Sequence, residues 1–195
     1  MLAALVEAAG ALLTGVASAP DTEDGTRGAL AEALEEADVV CVSGGVSVGP
    51  HDHVRSAMAE LGVEERFWGV RLRPGKPTWF GVREGTLAFG LPGNPVSATV
   101  TFQLFVRPAL AALQGADPAA RRVHATLGED VRRNPQREQA VRVRLASGDH
   151  GLLATPTGPQ GSHQLTSMLG ADGLARIPEG EGPLSQGERV EVELL

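Results

Sequence analysis

Apolar residues at positions 2, 5, 6 and 9 recur at helical spacing, and Gly10 supplies a stop, so the pattern predicts a short helix from the first residue. Leu12 to Val16 reads as a strand, though it is poor in β-branched residues. A second helix is predicted from Thr22, with Glu23 and Asp24 in the first turn, where negative charge suits the helix dipole. Leu30, Ala33, Leu34 and Ala37 form its apolar stripe. Val39 to Val42 is an unbroken apolar run, the pattern of a strand covered on both faces. A glycine-rich loop at 43–49 follows. Val54, Met58 and Leu61 then mark a helix closed by Gly62, and Phe67 to Leu72 reads as a strand. Thr78 to Val82 and Thr86 to Leu91 predict a hairpin across Glu84-Gly85. Asn94 is placed to cap a helix, with Pro95 at its first position, where a missing N–H costs nothing. Val96, Val100, Phe102, Leu104 and Val106 carry that helix toward Leu113, and Gly115 ends it.

This alternation of helix and strand is the α/β signature. The α/β layer reads as incomplete, because it opens inside a helix with no preceding strand and shows few strands. From Asp117 the texture changes. Val123–Leu127, Gln139–Leu145, Leu152–Thr155, Leu174–Ile177 and Arg189–Leu194 are short strands separated by polar, Gly- and Pro-rich turns. Val141-Arg142-Val143-Arg144-Leu145 alternates, so one face is buried and the other wet. The expectation is an α/β domain over 1–115 and a small all-β barrel or sandwich over 116–195, with the boundary near Gly115 to Pro118.

The net charge of −7 argues against nucleic acid as the main partner, since phosphate binding needs a basic face. One cysteine excludes an intrachain disulfide framework and fits a reducing compartment; Cys41, at the end of an apolar run, reads as a buried structural thiol. The apolar stretch Met1 to Ala19 mimics a secretion signal. The first basic residue is Arg27, Glu7 and Gly10 interrupt the run, and Pro20 would follow the cut, so a signal peptide is not expected. No later stretch is read as long and apolar enough to span a bilayer.

Candidate chemistry gathers in two Pro-Gly loops, Pro74-Gly75-Lys76-Pro77 and Pro92-Gly93-Asn94-Pro95, which bracket the hairpin. Lys76 is the one lysine in a chain that otherwise writes arginine. Its rigid flanks present an ammonium at little entropic cost, which suits a phosphate, molybdate or other oxyanion, and Arg71 and Arg73 add to the field; the plain alternative is a solvated loop lysine. Gly93 permits unusual backbone angles, and Asn94 and Ser97 line a helix N-terminus; the alternative is capping alone. In the loop at 43–49, glycines after a strand let backbone N–H groups approach an anion, or simply make a tight turn. Gly45-Val46-Ser47-Val48-Gly49 also matches the nucleophile elbow of serine hydrolases. Ser47, however, lies several residues past the strand, Pro50 intervenes, and His150 and His163 lack supporting context. His51-Asp52-His53 reads as a solvated loop. Zinc is disfavoured for want of further ligands, while Asp52 either caps the next helix or holds Mg²⁺ together with substrate phosphates.

Taken together, SGGVSVGPHDHVR, FWGVRLRPGKPTWFG and GLPGNPVSATVTF resemble the C-terminal half of the molybdopterin molybdenumtransferases, the MoeA-type enzymes and the gephyrin E-domain. PTGPQGSHQLTSMLGADGLARIPEGEGPL resembles the family's last domain, so the similarity covers nearly the whole chain. The resemblance implies a three-layer, MogA-like molybdopterin-binding α/β domain, here without its first strand, followed by a small β-barrel-like domain. It implies insertion of molybdate into adenylated molybdopterin with release of AMP, a requirement for Mg²⁺ and a homodimer; the charge, the single cysteine and the hydropathy add the expectation of a cytoplasmic location with no nucleic-acid or membrane partner. Gly44, Gly45, Ser47 and Gly49 match the family's pterin-contacting loop. Asp52 matches its acidic Mg²⁺ or molybdate position. Lys76 matches the lysine of its PGKP loop, an oxyanion contact, with Arg73, Pro74 and Gly75 beside it as expected substrate-binding residues. Pro92, Gly93, Asn94, Pro95 and Ser97 match its PGNPVS element, and Ser162 matches a tail serine that faces the cleft. Asp52 and Lys76 would be the catalytic pair. The chain departs at His53, where the family carries an aromatic residue, and at Arg55 and Arg73, where it carries lysine. The family's two further domains and a TGDEL-like strand precede the region that this chain matches, and they would supply part of the dimer interface and acidic active-site residues. The competing reading is a non-catalytic pterin-binding or scaffold module that associates with those domains.

Overall fold

A computed structural model of the chain describes residues 1–46, 53–119, 121–148 and 151–195, and they fall into two compact units. The first takes Met1–Val70 and Gly75–Gly115; the second takes Arg71–Pro74 and Ala116–Leu195.

In the first unit, α1 (Leu2–Ala8) stops at Gly10, whose φ is 78°. Helix α2 (Glu23–Glu36) is capped by Thr22, whose hydroxyl accepts from the Gly25 N–H at 3.3 Å. Strand β1 (Val39–Ser43), α3 (Val54–Glu60) and β2 (Glu64–Trp68) follow. The chain gives β3 (Leu72–Arg73) to the second unit, then returns for β4 (Trp79–Arg83), β5 (Thr86–Leu91) and α4 (Pro95–Leu113). The sheet order is β1-β5-β4-β2, with β1 parallel to β5 and the other pairs antiparallel. Glu84 and Gly85 both take positive φ, 50° and 98°, the mirror-image turn whose twist matches a β4–β5 hairpin.

Alternation sorts the sheet into two faces. Val40, Ala88 and Trp79 pack under Leu30 and Leu34 of α2 and Val54, Ala57 and Met58 of α3. Phe89 and Leu91 pack under Phe102, Val106 and Leu110 of α4, with Leu2, Leu5 and Val6 of α1 beside them. The unit is therefore a three-layer α/β/α sandwich. The middle of α4, Phe102–Val106, widens to a π-turn just before Pro108. Proline has no N–H for the carbonyl four residues back and its ring crowds that turn; a widened turn relieves both.

Four expectations need correction. Leu12 to Val16 forms no strand: Leu12 and Val16 are 87% and 78% exposed, and with few β-branched residues and Gly15 near its end the segment has no partner strand among the described residues. The strand at Phe67–Leu72 instead runs Glu64–Trp68, with a bulge between Glu65 and Phe67, because Leu72 leaves to pair elsewhere. Helix α4 is long and apolar enough, at 19 residues, to cross a membrane by length and composition. Its apolar surface packs on one face of the sheet, which it shares with α1. Strand β1 is only partly covered, with Val40 buried and its neighbours half-exposed, as befits a strand paired on one side among the described residues.

In the second unit, β6 (Arg122–Leu127), β8 (Glu138–Gly148), β9 (Gly151–Pro156), β10 (Gly173–Ile177) and β12 (Arg189–Leu194) close a small barrel, because the long β8 pairs with both β9 and β10. The short strands β7 (Val131–Arg132) and β11 (Pro183–Leu184) form a side ribbon, and β3 runs parallel to the start of β8. Val141, Val143, Ala154, Ala175, Ile177, Val190 and Val192 fill the interior, so the alternating Val141-Arg142-Val143 stretch sends its valines inward. The five barrel strands are those the turn spacing predicts. The two-residue strands carry too little periodicity to be read.

Cys41 is half-buried and packs against the α4-facing core, and that burial pushes its thiol up to about 12. The thiolate is then present at about one part in ten thousand at pH 8, so a thiol reagent added to the folded chain at that pH should react far more slowly than with the urea-unfolded chain. Equal rates would show that Cys41 is not held in the core.

Candidate functional site

The parallel register that sets Ser43 opposite Leu91 brings two loops to one end of the first sheet. Trp79 opposes Gly90, and Trp68 opposes Trp79, so the connection leaving β2 and entering β4 emerges at that same end. This is the end beyond the carboxyl termini of the parallel strands, where open α/β sheets hold ligands.

Gly44 and Gly45 take φ of 92° and 68°, consecutive left-handed values open to glycine at little cost. The Gly44 N–H donates to the Leu91 carbonyl at 3.0 Å, and the Ser43 hydroxyl donates to the Pro92 carbonyl at 3.4 Å. A Cβ on Gly93 would stand 3.5 Å from the Gly44 Cα, so the two loops are in backbone contact. Pro92 is buried and Gly93 is exposed. Asn94 caps α4, its side-chain oxygen accepting from the Val96 N–H at 3.3 Å, with Pro95 at the first helical position. Ser97 is buried in the first turn. In the third connection the Val70 N–H holds the Lys76 carbonyl at 2.9 Å, and Thr78 donates its hydroxyl to the Gly75 carbonyl at 2.7 Å. The Lys76 side chain is exposed and has no carboxylate partner among the described residues. A glycine turn, the N-terminus of a long helix and an unpaired ammonium at one sheet end suit an anionic group. Ser47, Gly49, His51 and Asp52 lie outside the described residues, and the N-cap of α3 is His53. Among the described residues no three His, Cys, Asp or Glu side chains cluster.

The second unit holds a cavity of about 550 Å³. Arg73 and Pro74 line it, with Arg132, Arg133 and Arg142; Glu129 and Asp130 are the carboxylates on its wall. Arg142 was not singled out in the sequence, where its alternation marks it as outward-facing. It does point away from the barrel interior, but the segment 157–169 covers it and leaves it fully buried. Its Nε and Nη2 donate to the Ser167 hydroxyl at 3.1 and 2.9 Å, and Nη2 also donates to the Gly161 carbonyl at 3.2 Å. Ser167 in turn donates to the Gln164 carbonyl at 2.6 Å. No carboxylate pairs with Arg142 among the described residues, and burial pulls its guanidinium down to about 10. It remains charged at neutral pH. A buried cation held by neutral oxygens alone is an arrangement that an anion would complete. Ser162 is half-buried and adjoins Gly161, but it is Ser167 that touches the guanidinium.

Residues 1–112 match the family model described as "Probable molybdopterin binding domain". The chain belongs to this molybdopterin-binding family. Residues 124–195 match the MoeA C-terminal region, domain IV. The "Molybdopterin molybdenumtransferase" of Haemophilus influenzae is 34% identical over 177 residues, 89% of this chain and 44% of that relative. The Drosophila melanogaster "Molybdenum cofactor synthesis protein cinnamon" is 38% identical over 161 residues, 81% of this chain and 27% of that relative. A solved Pyrococcus furiosus molybdenum cofactor biosynthesis protein superposes with a TM-score of 0.76 at 32% identity, over all of this chain and 62% of that one. The chain thus spans about half the length, or less, of the curated relatives it matches. The sheet-end loops fall within the molybdopterin-binding match, and the Arg142 cavity is built mainly from the MoeA C-terminal match.

At Gly45 a Cβ would meet the Val54 Cγ2 at 2.7 Å on top of the left-handed φ, whereas at Gly93 the space is open enough for a methyl group. Gly45→Ala is therefore expected to lower unfolding free energy by about 1–3 kcal/mol in urea titrations, and Gly93→Ala by less than about 0.5 kcal/mol. Equal losses would mean that the turn is not held as described.

Proposed function

We propose that the chain acts in molybdenum cofactor synthesis, as part of a molybdopterin molybdenumtransferase that inserts molybdate into adenylated molybdopterin and releases AMP. The observation that carries this reading is the buried, carboxylate-free Arg142 in an arginine-lined cavity, which suits a small oxyanion such as molybdate. Four arginines against two carboxylates give the wall a positive balance. The relatives named for this transferase and the molybdopterin-binding match supply the substrate class.

The roles divide by chemistry. The turn at Gly44 and Gly45, with Ser47, Gly49, Gly93, Asn94 and the start of α4, would hold the phosphate-bearing pterin, since backbone N–H groups and a helix N-terminus offer positive potential without a bulky side chain. Arg142, with Arg73 beside it, would hold the tetrahedral oxyanion; a guanidinium offers parallel N–H donors that match two oxygens. Lys76 would stabilise negative charge as the anion approaches, an electrostatic rather than covalent role. Asp52 fits Mg²⁺ by donor type, since this hard dication uses one or two carboxylates plus substrate phosphates, and when bound it would offset charge on the departing AMP phosphate. Soluble, cytoplasmic action as a homodimer, or together with further domains of the kind the longer relatives carry, belongs to the same proposal.

Two variants test it on the full chain, supplied with adenylated molybdopterin, molybdate and Mg²⁺. Arg142→Met should keep the far-UV circular dichroism spectrum and weaken molybdate binding in calorimetry by at least about tenfold, the loss of one charge-assisted contact. Unaltered molybdate binding would remove Arg142 from the site. Lys76→Ala should abolish molybdate-dependent AMP release with the fold intact; unchanged release would overturn the role given to Lys76. Tight pterin binding by the native chain with no AMP release would favour a binding-only module.

A further inference from the structure

The end of β2 carries an arrangement that the proposed function does not use. Gly44, Gly45 and Val46 are each tied to a different element. The Gly44 N–H donates to Leu91 of β5 at 3.0 Å, the Gly45 carbonyl accepts from the Val54 N–H of α3 at 3.3 Å, and the Val46 carbonyl accepts from the Trp68 indole N–H of β2 at 3.0 Å. Trp68 also meets Arg55, whose guanidinium carbon lies 4.4 Å from the ring centroid. Arg55 donates Nε and Nη2 to Glu65 at 3.1 and 3.0 Å. Glu65 accepts in turn from the indole N–H of Trp79 at 2.7 Å, and Trp79 is 1% exposed in the core.

These contacts form one path from a core tryptophan, through a carboxylate and a guanidinium, to a second tryptophan and the glycine turn. Trp68 therefore holds both chain segments that flank positions 47–52: Val46 through its N–H and Arg55 through its ring. A tryptophan placed for packing would be buried, yet Trp68 is 38% exposed and spends its one polar group on a backbone carbonyl of the turn. An exposed Arg–Glu pair contributes little by itself, but a bidentate pair stacked on a ring has few arrangements left to sample.

We propose that Trp68 is a positioning residue for the ligand site. Its indole N–H and ring keep the Gly44–Val46 turn and the first turn of α3 in the mutual orientation that receives the anionic group of the pterin substrate. This rests on the reading of that turn as a pterin contact.

The test uses the full chain and Trp68→Phe, which keeps an aromatic ring against Arg55 and removes only the N–H. Amide hydrogen exchange by NMR, without ligand, should speed up at least tenfold at Gly44 and Val54 and stay unchanged at Ala88 and Phe89. Affinity for adenylated molybdopterin should fall about tenfold with an unchanged melting temperature. Arg55→Lys, which keeps the charge and loses the two-point contact with Glu65, should move both readouts in the same direction by less. Unchanged exchange at Gly44 and Val54 would show that Trp68 does not hold the turn and would overturn the proposal. Faster exchange with unaltered affinity would overturn it as well, and would remove the turn from the pterin site while leaving the Arg142 cavity untouched. Failure of the native chain to bind adenylated molybdopterin would defeat the underlying reading, and the positioning role with it.

Discussion

The parallel pairing of β1 with β5 is the constraint on which the first unit depends. It fixes Ser43 beside Leu91, and so places the Gly44 turn against Gly93. A slip of one residue would send Ala88 to the α4 face and Phe89 under α2, exchanging the two cores at once. The same register sets the start of α4 beside the turn. The hydrophobic pattern that holds the sandwich together therefore also sets the geometry of its glycine loops.

The second unit carries a different constraint. Burying the Arg142 guanidinium is unfavourable, as the fall of its pKa to about 10 records, and Ser167 and Gly161 answer it with neutral oxygens only. A carboxylate in their place would stabilise the cation better and would leave nothing for a ligand to do. Arg176 pairs with Glu138, Arg71 with Glu179, and Arg122 with Glu193, while Arg133 and Arg144 donate to backbone carbonyls from positions that water still reaches; Arg142 differs in being fully buried. Full burial without a carboxylate among the described residues is what the proposed oxyanion role of Arg142 rests on. The pterin-facing and oxyanion-facing roles proposed for the chain thus fall in separate units, each with its own core.

Much of this was legible in the residues. Caps at Thr22 and Asn94, the Glu84-Gly85 turn, the helix stops at Gly10, Gly62 and Gly115, and the five barrel strands all carry local signals that the structure repeats. Leu12–Val16 misled because an apolar run predicts burial only where a partner exists. The apolar run of α4 reads as too short to span a bilayer, although its 19 residues suffice by length and composition, and the sheet face it packs on accounts for that apolar surface. Leu72 was assigned to the preceding strand because nothing in its neighbourhood announces pairing with Glu138, 66 positions along the chain. Arg142 escaped for a related reason. Alternation marked it as solvent-facing, and only the folding of segment 157–169 over β8 turns an outward arginine into a buried one. Ser162, singled out by its motif, stands beside Gly161, while Ser167 makes the contact.

Arg142 is the proposed anchor of the oxyanion, and heavy-atom scattering addresses that role directly. Crystals of the full chain grown with molybdate or tungstate, with anomalous differences collected at the metal edge, should show a peak in the cavity within hydrogen-bonding distance of the Arg142 guanidinium. No peak there at saturating oxyanion, or peaks only elsewhere on the surface, would contradict the account.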